Sequence, residues 1–295
     1  MATNEPVILA LGLNDGRSIF SMFPGIGLYS QKLEMRARRM DAVSIFSSRE
    51  REQIRGELVA AARADRRIGG AAHLGAAALG LEDRWSDIDL ALSLAPNADS
   101  NQVLLDWTMR LYRDHAAVAN YDVRHGDILY RVFLLGNTLQ IDLSFWPSTQ
   151  LRAFGPKFSL IFGAAREPAA APVPDSNDLI GRAWLYALHV RSSIARARLL
   201  QAEHMLSGMR DNVLALICRR HGVVSVQGRG LDDLPKHQRA RAAECLARSL
   251  EPAELKRAFR LAVDTLLEEV QYADAALAMK LEHPLKSTVN CLASD

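Results

Sequence analysis

The stretch Gly75-Ala-Ala-Ala-Leu-Gly80, followed by Ser86-Asp87-Ile88-Asp89-Leu90, decides how this chain reads. Two glycines bracket a turn, and two carboxylates follow it one residue apart. In a strand, residues i and i+2 share a face, so Asp87 and Asp89 project together while Ile88 and Leu90 project the other way. Carboxylates held that close repel each other unless a cation lies between them. Hard oxygen ligands of this kind suit Mg²⁺, which binds through one or two carboxylates and the phosphates of its substrate. The stretch therefore reads as a metal–nucleotide site.

A second segment agrees with it. In Leu139-Gln-Ile-Asp142-Leu-Ser-Phe145 the apolar residues Leu139, Ile141, Leu143 and Phe145 fall on one face, and Gln140, Asp142 and Ser144 on the other. The strand from Asp87 to Leu94 alternates in the same way. If both strands share a sheet with its apolar side on the core, Asp142 joins the Asp pair on the open face. Three convergent carboxylates can hold two Mg²⁺ ions about 4 Å apart, a clamp suited to in-line displacement at phosphorus.

Glycine, small residue, glycine, then Ser-Asp-Ile-Asp-Leu, then a later Asp on a strand: this order resembles the nucleotidyltransferase superfamily that includes DNA polymerase beta. Within it, the sequence looks most like the adenylyltransferases that inactivate aminoglycosides and lincosamides. Gly75, Gly80, Ser86, Asp87, Ile88, Asp89 and Asp142 match the motif, which covers residues 45 to 160. One position departs. Where the family has Ser after the first glycine, this chain has Ala76, and so lacks a hydroxyl that helps hold the terminal phosphates. The backbone N–H groups of the turn remain, and these are the more general anion-binding element.

The resemblance implies ATP as nucleotide donor, two Mg²⁺ ions on Asp87, Asp89 and Asp142, and a small-molecule hydroxyl as acceptor. An aminoglycoside or lincosamide antibiotic is the acceptor class it implies, with AMP transferred, pyrophosphate released and antibiotic resistance as the outcome. Gly75, Ala76 and Ser86 fall at the nucleotide, and a homodimer is compatible with the family. The alternative is an interaction module of the same fold, like the antitoxin partners of that superfamily. Ala76 favours the module; the three Asp residues and a full second half favour the enzyme.

Charge narrows the acceptor. Lys and Arg total 36 against 34 Asp and Glu. A chain that tracks a nucleic-acid backbone shows a basic excess or stripe, so the balance argues for a small acceptor and against nucleic acid. Cys218, Cys245 and Cys291 make neither a disulfide framework nor a zinc site, which points to a reducing cytoplasm. No apolar run reaches membrane-spanning length.

The pattern predicts an α+β chain. Residues 1–42 are an N-terminal extension of unknown function. Residues 43–163 form a nucleotidyltransferase domain, a mixed β-sheet with helices on one face. A Pro/Ala-rich linker at 164–176 leads to a helical, substrate-binding bundle over 177–295. Ser47 and Glu50 have capping-box spacing and open a helix reaching Arg63, with Ile54, Leu58 and Ala61 on one face. Strands are expected at Ile68–Leu74, Asp87–Leu94, Asp127–Leu135 and Thr138–Phe145, the last two joined by a Gly136-Asn137 hairpin. Val103–Ala116 is expected as a helix. In the second half, helices are expected over Ile180–Ser207, Met209–Arg220, Pro235–Arg248 and Glu251–Met279, in a bundle of four or five.

The remaining chemistry is less sharply marked. His189, Arg196 and Glu203 recur every seven residues, which in one helix places them on one face. From there, if that face meets the cleft, Arg196 or Arg198 could contact phosphate and Glu203 accept the hydroxyl proton, although solvated surface charge with ordinary ion pairing is the favoured account. Asp122, His125 and Asp127 are rival bases because they precede the hairpin carrying Asp142. Lys157 follows the catalytic strand and can reach a phosphate. Trp107, Trp184 and Tyr186 read as core, and His73 as a core-edge histidine.

Overall fold

The computed structural model describes residues 45–169 and 173–292, so the expected N-terminal extension lies outside the described residues. The chain divides into two compact units, Met1–Ala171 and Pro172–Asp295.

The first unit runs α1 (Ser48–Ala64), β1 (Ile68–Leu74), β2 (Ile88–Leu94), α2 (Ser100–Asp114), β3 (Ala117–His125), β4 (Ile128–Leu135), β5 (Gln140–Trp146) and β6 (Phe158–Phe162). The strands form one mixed sheet in the order β3-β4-β5-β2-β1-β6. Only β2 and β5 run parallel; the other neighbours are antiparallel.

Alternation in β2 and β5 explains which face is covered. Ile88, Leu90, Leu92, Ile141, Leu143 and Phe145 pack against Leu58 and Ala62 of α1 and Val103, Trp107 and Leu111 of α2. Each such side chain, fully buried, contributes roughly 1.5–3 kcal/mol. The expected capping box is present: the Ser47 backbone N–H donates to Glu50 Oε2 (2.7 Å), and the Glu50 N–H donates to Ser47 Oγ (3.2 Å). Trp107 Nε1 donates to Asp65 Oδ2 at 3.2 Å, so the indole N–H is not lost to burial. Among the described residues, the other face carries a smaller apolar cluster, Ala72, Ala91, Ile128, Trp146 and Leu151, with Leu74, Tyr130 and Phe158 packed against it. Residues 164–169, expected as linker, stay with this unit: Arg166 N–H donates to the Leu151 carbonyl and Ala169 N–H to that of Ala153.

Two strands were not legible. β3 is an edge strand exposed along nearly its whole length, with polar residues on both faces, so it lacks a half-buried alternation. β6 has only five residues. The β4–β5 turn is longer than the expected two-residue hairpin. Thr138 adopts a positive φ of 69°, and β5 starts only at Gln140.

The second unit contains α3 (Ser176–Ala195), α4 (Leu199–Arg220), α5 (Lys236–Glu244), α6 (Pro252–Ala273) and α7 (Ala275–Asn290). Its core joins Ala183, Ala187 and Val190 to Leu206, Met209 and Val213, and to Phe259, Val263 and Leu266. The helix breaks differ from expectation. Gly208 lies inside α4, where an added Cβ would stand 2.7 Å from the Tyr186 ring, so glycine allows α3 and α4 to approach closely. The chain turns instead at Ala197, with φ 52°. The long run through Met279 is divided at Asp274, whose carboxylate caps α7 by accepting from Leu277 N–H at 2.9 Å. Trp184, expected in the core, is exposed. Among the described residues no helix is long and apolar enough to cross a membrane.

Candidate active site

The parallel pairing of β2 with β5 sets Asp89 directly beside Asp142, in register with Ile88 beside Ile141 and Leu90 beside Leu143. Neighbours in register project to the same face, so burying the isoleucines and leucines places both carboxylates on the opposite one. Asp87, immediately before β2, completes the group. One carboxylate oxygen from each residue lies within 4.8 Å of the others, and all three residues are half-buried.

At that separation two full charges repel by about 1 kcal/mol in water and about 4 kcal/mol at a protein-surface dielectric. Gln140 relieves part of it: its Nε2 donates to Asp142 Oδ1 at 2.9 Å and lies 3.5 Å from Asp87 Oδ2. The donor set fits a hard divalent cation. Two oxygens on one Mg²⁺ stand at most about 4.2 Å apart, given metal–oxygen distances near 2.1 Å. A shift of a few tenths of an ångström brings the three carboxylates to that spacing.

The glycine turn lies against this group. Gly75 has φ 59°, and a Cβ there would fall 2.1 Å from Asp89 Oδ2. Glycine is thus required twice, for the backbone hand and for the space the carboxylate occupies. Ala76 follows in the right-handed region (φ −67°, ψ −34°). Such a change of hand turns successive N–H groups toward one side and makes an anion-binding concavity. The N–H groups of Leu79 and Leu81 donate to the Ala76 carbonyl and that of Gly80 to Ala77. Those of Ala76, Ala77 and Ala78 take no part in these bonds.

Between Gly80 and Asp87 the chain is held by polar groups. Ser86 Oγ donates to Asp83 Oδ1 and accepts from the Asp83 N–H, both at 2.9 Å. The Ser86 bonds, with one from Trp85 N–H, hold the Asp83 carboxyl below its ordinary range. Ser86, expected at the nucleotide, therefore spends its hydroxyl closing this turn. Beneath the loop, Arg51 of α1 is only 2% exposed. Its Nη1 donates to the carbonyls of Asp83 and Ser86, and its Nε stands 3.2 Å from Glu82 Oε1. Arg55 pairs with the other Glu82 oxygen.

Arg51 and Gln140 were missed as site residues, and a signal existed for each. Arg51 sits three and seven residues before Ile54 and Leu58, on the helix's apolar stripe, where a charge needs a partner. Gln140 shares the face of Asp142.

The other expected residues separate. Asp122 is corrected: it is paired with Arg131 by two 2.6 Å bonds on the helix-covered face, where Arg131 also donates to Thr108 of α2. His125 ends β3 opposite Ile128, four residues from Val132, the neighbour of Asp142, and Asp127 precedes β4, five residues from it, offsets of about 13–17 Å along the strand. Neither rival base reaches the triad. His73 pairs in register with Leu90 and so faces the helices. Burial, and secondarily Arg55, holds its imidazole below its usual value. Lys157 is exposed, one residue before Phe158, which pairs with Leu74, so it stands across from the Gly75 turn.

Glu203, Arg196 and Arg198 belong to the helical unit. The seven-residue stripe linking His189, Arg196 and Glu203 does not exist, because the chain reverses at Arg196–Arg198. Glu203 accepts a hydrogen bond from Ser207 at 2.7 Å, and Ser207 accepts one from Arg210 at 3.0 Å.

No family model and no curated protein matches the chain by sequence. Among solved structures it is similar to an aminoglycoside 6-adenyltransferase from Bacillus subtilis, with a TM-score of 0.38 and 12% identity, over 78% of this chain and 95% of that one. At that similarity nothing of the neighbour's chemistry transfers to this chain.

Proposed function

We propose that this protein transfers a nucleotidyl group, AMP from ATP, to a hydroxyl of a small molecule with release of pyrophosphate. The observation that carries the proposal is the convergence of Asp87, Asp89 and Asp142 within 4.8 Å, with Gly75 so close that a Cβ there would meet the Asp89 carboxylate. The acceptor class, an aminoglycoside or lincosamide, rests on the sequence resemblance alone.

In the reaction the acceptor oxygen bonds to the α-phosphorus, the bond from that phosphorus to the bridging oxygen breaks, and the hydroxyl proton leaves to a base. Asp87 and Asp89 would hold one Mg²⁺ and share a second with Asp142; when bound, these ions neutralise phosphate charge and lower the hydroxyl's pKa. Gly75 keeps the turn's backbone against the carboxylates, and the N–H groups of Ala76, Ala77 and Ala78 are the proposed donors to the triphosphate, with Lys157 beside them. Gln140 orients Asp142. Arg196, Arg198 and Glu203 lie at one end of the α3–α4 hairpin of the helical unit, and their part as phosphate contacts and proton acceptor rests on the sequence reading alone.

The test is pyrophosphate release from ATP and Mg²⁺ across a panel of aminoglycosides and lincosamides, with Asp142→Ala as control. Release that needs one compound and is lost in the variant supports the proposal. Ala76 favours the second reading, an antitoxin-like interaction module, for which no metal-dependent ATP binding is expected.

A further inference from the structure

We propose that Arg51 is a positioning residue of the carboxylate site: from α1 it sets the loop 81–86 and, through that loop, the approach of Asp87 to Asp89 and Asp142. The proposal rests on reading the triad as a metal site.

The loop has little apolar hold of its own. Leu81 and Trp85, its large hydrophobic residues, are each 70% exposed. Its ties to the body of the domain are polar or cationic: Arg51 makes three of them, beside the Arg55–Glu82 pair and Arg84 lying 5.2 Å from the Phe46 ring centroid. One guanidinium reaches the carbonyl of Asp83, the carbonyl of Ser86 and the carboxylate of Glu82. The Ser86 carbonyl belongs to the peptide that enters Asp87, so this bond acts one residue from the site. Glu82 is gripped again by Arg55. The Asp83–Ser86 turn stiffens the loop internally, so that moving its anchor moves Asp87.

Stability alone does not call for arginine at this position. A buried ion pair is commonly no more stabilising than well-packed apolar groups of similar volume. Position 51 lies on the apolar stripe of α1, where a leucine or methionine would join Leu58 and Ala62. What an apolar residue cannot do is donate to two loop carbonyls while setting a positive charge against the Glu82 carboxylate. Lysine keeps the charge but not the reach and planar spread that set the Nη1 donor and the Nε contact apart.

The test uses the full chain and Mn²⁺ alone, a paramagnetic probe that takes the same hard oxygen ligands. Free and bound Mn²⁺ are measured by electron paramagnetic resonance for the wild type, Arg51→Met, Arg51→Lys, Asp142→Asn and, as a core control, Leu58→Ala, with folding followed by circular dichroism. Loss of an outer partner of a metal site typically weakens affinity by about 10- to 100-fold. The expected result is weakening of that order in folded Arg51→Met, a smaller loss in Arg51→Lys, and near-wild-type affinity in Leu58→Ala. If Asp142→Asn loses Mn²⁺ while both Arg51 variants bind as the wild type does, the positioning role is wrong and the metal site stands. If Asp142→Asn also binds normally, the metal site itself is wrong and the proposal goes with it. An Arg51→Lys variant that does not fold also overturns the proposal, because Arg51 would then be a folding residue.

Discussion

The two faces of the β-sheet are made by the same strands and obey opposite rules. On one face Leu90 and Leu143 lie side by side, sealed under α1 and α2. One residue earlier on each strand, Asp89 and Asp142 lie side by side on the other face, half-buried and mutually repulsive. Burial stabilises the first face with no further requirement. The second gathers like charges, which a cation between them would favour. A sheet can carry such a site because the stability comes from the far side of the same strands.

Substitutions should break the two faces in opposite ways. Asp142→Ala is expected to lower pyrophosphate release by about a thousandfold or more. Its thermal unfolding should change little, because the loss of the Gln140 hydrogen bond and the relief of like-charge repulsion act in opposite directions. Equal loss of activity and of folding would end the contrast. Leu90→Ala should do the reverse, costing about 2–5 kcal/mol in urea unfolding while the material that remains folded keeps its metal affinity.

Gly75→Ala sits between these cases. Strain at the positive φ is expected to cost about 1–3 kcal/mol, and the new methyl must displace the Asp89 carboxylate. Unfolding and Mn²⁺ titration should therefore both change, unlike either single-face variant.

Two smaller effects sharpen the comparison. On the helix-covered side, burial holds both His73 and His115 below their ordinary value. The unfolded chain takes up protons there that the folded chain resists. That stability is complete above about pH 6.5 and declines as pH falls toward the depressed folded values. Acidification from about pH 7.5 to about pH 5.5 should lower the unfolding temperature, by less than Leu90→Ala does. His73→Gln and His115→Gln together should flatten the slope. Ala76→Ser should tighten ATP binding by less than about tenfold, the scale of one neutral hydrogen bond, with no change in Mn²⁺ affinity.

Much of this could be read from residue order. Alternation over Ile88–Leu94 and Leu139–Phe145 reported which side each Asp occupies, and capping-box spacing located the start of α1. The failures have physical causes. β3 is an edge strand without a buried face, so it leaves no hydrophobic period to read. Gly208 imitates a helix breaker but makes room for Tyr186, while the true reversal at Ala197 carries neither glycine nor proline. Asp122 was as acidic as any other candidate until Arg131 and its face of the sheet were known.

What the sequence by itself determined is local and periodic: the α+β class, the strands that bear the carboxylates, and the turn that needs glycine. These follow from repeats of two and 3.6 residues and from backbone hand, all properties of neighbouring residues. Only the tertiary structure decided that β2 and β5 are parallel neighbours in a register that sets Asp89 beside Asp142, and that Arg51 is buried under the loop entering Asp87. Register and burial join residues far apart in the chain. They depend on which surfaces meet once the core has closed, and that choice leaves no periodic trace in the residues themselves.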